Sequence, residues 1–167
     1  SIVEDKNKNI WIGTSNGNLF RYERESNSFT KLILKPSDSK AIKLNGIYHL
    51  LIDQDNNLWV GTDSGLVRYN ISTKEVDHFS HDPSDSNSLL DNRISALSED
   101  QHGQILIGTY KSGFHIFDPK NELLQRITFD ANHPDHIHAP ISEEIVFSDN
   151  PYVNLIHQDQ NGGYWIG

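Results

Sequence analysis

One string of residues occurs four times along this chain. "NIWIGTSNG" beginning at Asn9 returns as "NLWVGTDSG" at Asn57, as "QILIGTYKSG" at Gln104 and, shortened, as "GYWIG" at Gly163. The anchors Trp11, Trp59, Leu106 and Trp165 stand 48, 47 and 59 residues apart, a period that belongs to stacked or radially arranged units. Each residue is therefore best judged against its mates in the other repeats. The 167 residues hold three full repeats and a short overlap, enough chain for one domain of ordinary size. The expectation is a single repeat array over residues 1–167, cut from a longer one.

Within a repeat, four short apolar segments alternate with turn-forming residues, and none carries apolar residues at helical spacing for long. In the second repeat the expected strands are Ile47 to Ile52, Leu58 to Thr62, Leu66 to Tyr69 and Glu75 to Phe79. An Asp stands six residues before every anchor, at Asp5, Asp53, Asp100 and Asp159. A short carboxylate can accept backbone N–H groups two residues on and fix a hairpin turn, so four copies at one offset point to turn chemistry rather than catalysis. The second strand, as in Ile105-Leu106-Ile107, is apolar without alternation, as expected for a strand covered on both faces. The glycine after it, at Gly13, Gly61, Gly108 and Gly167, permits a neighbouring sheet to come close. Four antiparallel strands per unit, each sheet packed face to face on the next, describe the blades of a β-propeller. The predicted fold is all-β, with about three four-stranded blades and a partial fourth made of Val153 to His157 and Tyr164 to Ile166.

Composition removes several functions. The net charge is −9 and no run of Lys or Arg stands out, so nothing offsets phosphate repulsion and nucleic acid is not an expected partner. No apolar stretch approaches the ~18 residues of a membrane span. Without cysteine there is neither a disulfide nor thiol chemistry, and no cofactor is implied. The tryptophans suggest sugar stacking at first, but the third repeat puts Leu106 in the same place. That position is one of packing, as are Tyr22, Tyr69 and Phe117 at the end of the third strand.

The stretch "ISALSEDQHGQILIGTYKSGFHIFD" from Ile94 to Asp118, preceded by "HDPSDSNSLLDN" from His81 to Asn92, resembles the two-component-regulator propeller repeat. That pattern is an aliphatic strand, Glu-Asp, a Gly turn, then Leu-Trp-Ile-Gly-Thr and a Gly-Leu strand. The third repeat departs from it by losing the tryptophan. The resemblance implies a segment of the periplasmic sensor region of a hybrid histidine kinase and response regulator of Bacteroidetes type, responding to oligosaccharides released from glycans. Any membrane attachment, kinase and phosphorelay activity would then belong to other parts of the parent chain, and this segment would not be an enzyme. Matched positions assign Glu99 and Asp100 to a turn and Ile107, Gly108 and Thr109 to the second strand, which are structural roles.

Function in an array is expected where the repeat is broken, because loops vary freely over a fixed scaffold. The turn between second and third strands reads Ser15-Asn16-Gly17 and Asp63-Ser64-Gly65, but Tyr110-Lys111-Ser112-Gly113 in the third repeat. The third blade-to-blade connection is longer than the others by about a dozen residues and holds "HPDHIHAP". Its His133, Asp135, His136 and His138 could ligate a metal by residue type. Adjacent residues on an extended segment point to opposite faces, however, and no known metal spacing is present, so the loop reads as a solvated spacer. If the chain contacts a ligand, the expected residues are Tyr110 as a ring for a sugar face, Lys111 as a donor, and His133, His136 and His138 as adaptable polar groups. Apolar blade faces left uncovered are expected to drive self-association. Two other classes remain open at this point. A propeller lyase would need a converging acid and base set, and a purely structural array would need no ligand, since the fold hosts all three.

Overall fold

In the computed structural model, the residues described are 1–37, 40–110, 113–127, 153, 156–158 and 164–166. They form fourteen strands and no helix. The first sheet is β1 (Ile2–Glu4), β2 (Ile10–Gly13), β3 (Leu19–Glu23) and β4 (Ser28–Leu32). The second is β5 (Ile47–Ile52), β6 (Asn57–Thr62), β7 (Leu66–Asn70) and β8 (Val76–Phe79). The third is β9 (Ile94–Glu99), β10 (Ile105–Thr109), β11 (Phe114–Asp118) and β12 (Leu123–Ile127). A pair, β13 (Ile156–Gln158) and β14 (Tyr164–Ile166), follows. Strands within each sheet are antiparallel and adjacent in chain order. Three blades and a half are thus present, as expected. The last first strand is described from Ile156 rather than Val153.

The repeated motif can now be taken apart atom by atom. Asp53 Oδ1 accepts the N–H groups of Asp55 at 3.0 Å and Asn57 at 2.8 Å, closing the β5–β6 hairpin. Asp5 and Asp100 do the same for Asn7 and Asn9, and for His102 and Gln104. Three residues after each Asp the backbone turns left-handed, at Lys8 (φ 66), Asn56 (φ 63) and Gly103 (φ 81), a conformation that Asn and Gly tolerate best. The other carboxylate oxygen takes the indole: Trp11 Nε1 donates to Asp5 Oδ2 at 2.9 Å and Trp59 Nε1 to Asp53 Oδ2 at 2.7 Å. A buried indole N–H without an acceptor is costly, so the Asp both turns the chain and allows the tryptophan to be fully buried. At the far end of the strand, Thr62 Oγ1 donates to Gly65 O at 2.7 Å and Thr109 Oγ1 to Gly113 O at 3.0 Å, closing the next hairpin.

The core lies between blades rather than within them. Trp11 meets Tyr69 of the second blade edge-on, with ring centroids 5.7 Å apart, and Trp59 meets Phe117 of the third at 5.6 Å. The glycines of β2, β6 and β10 make room for the chain that opens the next blade. A Cβ at Gly61 would lie 2.9 Å from Ile94 Cγ2, and one at Gly108 would lie 2.6 Å from Val153 Cγ1. Leu106, in the place of a tryptophan, is fully buried with Ala96, Phe114, Val153 and Ile156. The tryptophan position is therefore core, as its replacement by Leu106 suggested. The side chain of Trp165 and residue Gly167 lie outside the described residues.

Candidate functional site

The turns between second and third strands and the blade-to-blade connections emerge on one face, and backbone hydrogen bonds knit them together. Ile47 N–H donates to Thr14 O at 3.0 Å, Gly65 N–H to Asn92 O at 2.8 Å and Tyr110 N–H to Arg93 O at 2.9 Å. Side chains add to the mesh. Asp63 Oδ1 accepts from Asn45 N–H and Gly46 N–H at 3.2 and 3.4 Å. Arg126 on β12 holds the connection before β9 through Ser88 O and Asp85 O, both at 2.9 Å. The result is a fixed surface on which a few side chains stand out.

Three of those side chains meet at the junction of the second and third blades. The Arg93 guanidinium lies over the Tyr110 ring, 4.0 Å from its centroid, and over the Tyr48 ring at 5.2 Å. Each comes from a different place in the repeat. Tyr110 sits in the β10–β11 turn, where the other repeats have Ser15 and Asp63. Arg93 immediately precedes β9, where the second repeat has Gly46. Tyr48 is the extra residue of a β-bulge: Ile47 pairs with Thr62 and His49 with Gly61, leaving Tyr48 outside the ladder. A bulge re-aims a side chain, and Tyr48 is 40% exposed despite its place in a strand. The third blade repeats the bulge at Ser95, between Ile94 and Ala96, whose hydroxyl bonds to Val153 O.

Of the residues expected to contact a ligand, Tyr110 is on this face and in this cluster. Lys111, His133, His136 and His138 lie outside the described residues. Tyr48 and Arg93 were not anticipated, although setting Arg93 against Gly46, and Tyr48 against Ser95, would have marked both as departures from the repeat. Nearby acids are committed elsewhere: Asp91 Oδ1 accepts the Arg93 N–H at 2.8 Å. Burial works to raise the pKa of Asp63, but the hydrogen bonds from Asn45, Ser64 and Gly46 prevail and hold it below the usual carboxylate range. Among the described residues no three His, Asp or Glu side chains converge as a metal site would require.

A second polar depression, of about 300 Å³, lies between the outer strands of these blades and is lined by His78, Phe79, Asp82, Asp85, Ser88 and Glu122 among others. Asp82 and Asp85 are engaged in the connection's own turns, with Ser84 and Asn87, and Glu122 pairs with Arg68. One buried histidine also departs from the repeat. His115, on β11, stands where the other blades have Phe20 and Val67, and its Nε2 accepts the Leu90 N–H at 3.1 Å. Burial pushes its pKa down to about 4, with the Arg126 charge acting the same way, while the Ile107 backbone, as an acceptor for the ring N–H, works against them.

The model of the two-component regulator propeller family matches residues 1–16, 42–64 and 88–111, one segment in each full repeat. This chain is built from two-component regulator propeller repeats. Histidine kinase P4 of Formosa agariphila is 34% identical over 122 residues, which is 72% of this chain and 8% of that protein. An extracellular domain assigned to a hybrid two-component system of Bacteroides thetaiotaomicron is 26% identical, with a TM-score of 0.71 over 100% of this chain and 20% of that one. A second such domain from the same organism, at 19% identity, has a TM-score of 0.77 over 99% of this chain and 21% of its own, a likeness of fold. The propeller repeats described here thus span about a fifth or less of each of these relatives.

Proposed function

We propose that this chain is a ligand-sensing propeller segment of a hybrid two-component sensor, working outside the cytoplasm on a glycan-derived oligosaccharide. The observation that carries the reading is the combination of the family match in all three full repeats with 34% identity to a protein named a histidine kinase. The extracytoplasmic placement is supported by the similar domains of B. thetaiotaomicron, which are extracellular. Support for a saccharide comes from the exposed face: aromatic rings beside a fixed polar group are what a sugar site needs, and Tyr48, Tyr110 and Arg93 supply them. Lys111, His133, His136 and His138 belong to the same proposal. The segment binds without chemistry, and phosphotransfer and membrane anchoring belong to other parts of the parent protein.

The test is calorimetric titration of the chain with a panel of oligosaccharides, with the products analysed for cleavage, and incubation with labelled ATP. Binding without turnover, weakened by Tyr110→Ala and Lys111→Ala, and no label on the chain, is the expected result. Bond cleavage would favour the lyase reading. Failure of every saccharide to bind would leave the structural array.

A further inference from the structure

We propose that the ligand recognised at the Tyr48, Arg93 and Tyr110 cluster is an acidic saccharide, held by its carboxylate or sulfate group on the Arg93 guanidinium. This rests on the saccharide reading above and narrows it. Among the described residues, no carboxylate pairs with the Arg93 side chain and no acceptor takes its N–H groups; its contacts are the two rings at 4.0 and 5.2 Å. The other four arginines behave differently. Arg21 pairs with Glu23, Arg24 with Glu4, and Arg68 with Asp77 and Glu122, while Arg126 is spent on backbone oxygens.

A guanidinium is planar and presents its donors as a rigid fork matched to a carboxylate or sulfate. Lying over tyrosine rings fixes its plane and removes rotamer freedom in advance, so less entropy is lost when an anion docks. The rings themselves offer apolar surface to the C–H face of a sugar, and so the cluster joins both halves of acidic-sugar recognition. Its setting sharpens the case. The chain carries a net charge of −9, a field that repels anions in general, so an acidic ligand can gain only where a cation stands without a partner. Asp91 and Asp63 direct their carboxylates to backbone N–H groups and form no ion pair with it. All three residues also replace smaller or differently charged mates, Ser95, Gly46, and Ser15 or Asp63, so the cluster is not part of what the repeat needs in order to fold.

The experiment compares four probes on the purified chain by calorimetry: oligogalacturonate, its methyl ester, a sulfated galacto-oligosaccharide and a neutral malto-oligosaccharide of equal length. Binding of the galacturonate or of the sulfated probe should exceed that of the neutral ones by tenfold or more and weaken with added salt, and the stronger of the two identifies the anion. Arg93→Ala should lower that affinity by about 10- to 100-fold, the range of a charged hydrogen bond. Arg93→Lys, which keeps the charge without the fork, should recover only part, and both variants should keep the wild-type unfolding midpoint. Equal affinity for neutral and acidic probes, or acidic binding indifferent to Arg93→Ala, overturns the inference and leaves the saccharide reading standing. Absence of binding by all four overturns the inference as well.

Discussion

Trp59 and Asp53 are joined by a hydrogen bond from the indole Nε1 to Oδ2 at 2.7 Å, with both residues buried. Six residues apart, they make one unit of the hairpin that opens the second blade. Asp53→Asn replaces an acceptor by an NH₂ group facing either the indole or the hairpin N–H groups. It should cost about 2 kcal/mol or more, the scale of a lost charged hydrogen bond with an orphaned partner. Trp59→Phe removes the indole donor and keeps most of the ring. In urea unfolding, the two changes together should cost less than their sum by about 1 kcal/mol. Strict additivity would mean that Asp53 acts on the turn alone.

Gly61 lies against Ile94 of the next blade, and a Cβ there would come 2.9 Å from Cγ2 and 3.2 Å from Cβ of that residue. Neither atom is the flexible tip of a long side chain, so the blades themselves must part. Gly61→Ala is expected to destabilise by about 1–3 kcal/mol as an overpacking change. Adding Ile94→Ala removes the Cγ2 in the way, so the double variant should be less damaged than the sum of the singles predicts. A neutral Gly61→Ala would show that the blades separate freely.

His115 gives the fold an acid-sensitive point. Its pKa falls from 6.5 in the unfolded chain to about 4 in the folded one because burial opposes its charge. The unfolded state therefore takes up the proton first. The stability tied to neutral His115 is complete above pH 6.5, declines as pH falls from there to about 4, and amounts to about 3 kcal/mol. Asp63, Asp82 and Asp118, whose pKa values are lowered by hydrogen bonding, also lose stability in acid, so only a comparison isolates the histidine. His115→Val, matching Val67, should be less stable at neutral pH because the Leu90 N–H loses its acceptor, by about 1–2 kcal/mol. It should close that gap as pH falls toward 4. Parallel stability curves for the two proteins would remove His115 from the account.

What could be read from the sequence follows from what a period reports. The strands of the second repeat fall within a residue of expectation because their boundaries are set by turn residues, Asp53 at one end and Gly65 at another. The role of Leu106 was legible because three mates could be compared. The Trp59 to Asp53 bond was not, since a fixed offset reveals a shared job without revealing which atoms share it. Tyr48 escaped because a bulge shifts it out of the alternation that assigns side chains to faces. His115 escaped because it sits in the apolar run Phe114 to Phe117, with no neighbour to single it out. Arg93 needed only comparison with Gly46, but its meaning depended on two rings brought in from other elements. Among the expected ligand residues, Tyr110 alone lies within the described residues.

The face of the first sheet turned away from the second blade is expected to drive self-association. By strand register, Ile2, Ile12 and Phe20 share one cross-strand row, and Ile10, Tyr22 and Phe29 another, two positions along. Both rows lie on the side opposite Trp11. In the second blade the mates Leu50, Leu58, Val60, Val67, Tyr69 and Val76 all belong to the core shared with the first blade. Exposure follows: Ile2 is 67% exposed, whereas Leu50 is 2% and Leu97 4%. A surface built to be covered by a neighbouring sheet should recruit another molecule when offered free in solution. In light scattering, the mass of the chain should rise above that of a monomer with concentration, and Ile2→Lys with Phe29→Lys should shift the equilibrium back. Both sites are exposed, so unfolding of the double variant should change by no more than about 0.5 kcal/mol per site. A wild-type chain that stays monomeric at high concentration would show that the two rows are too small or too polar at the rim to hold a partner.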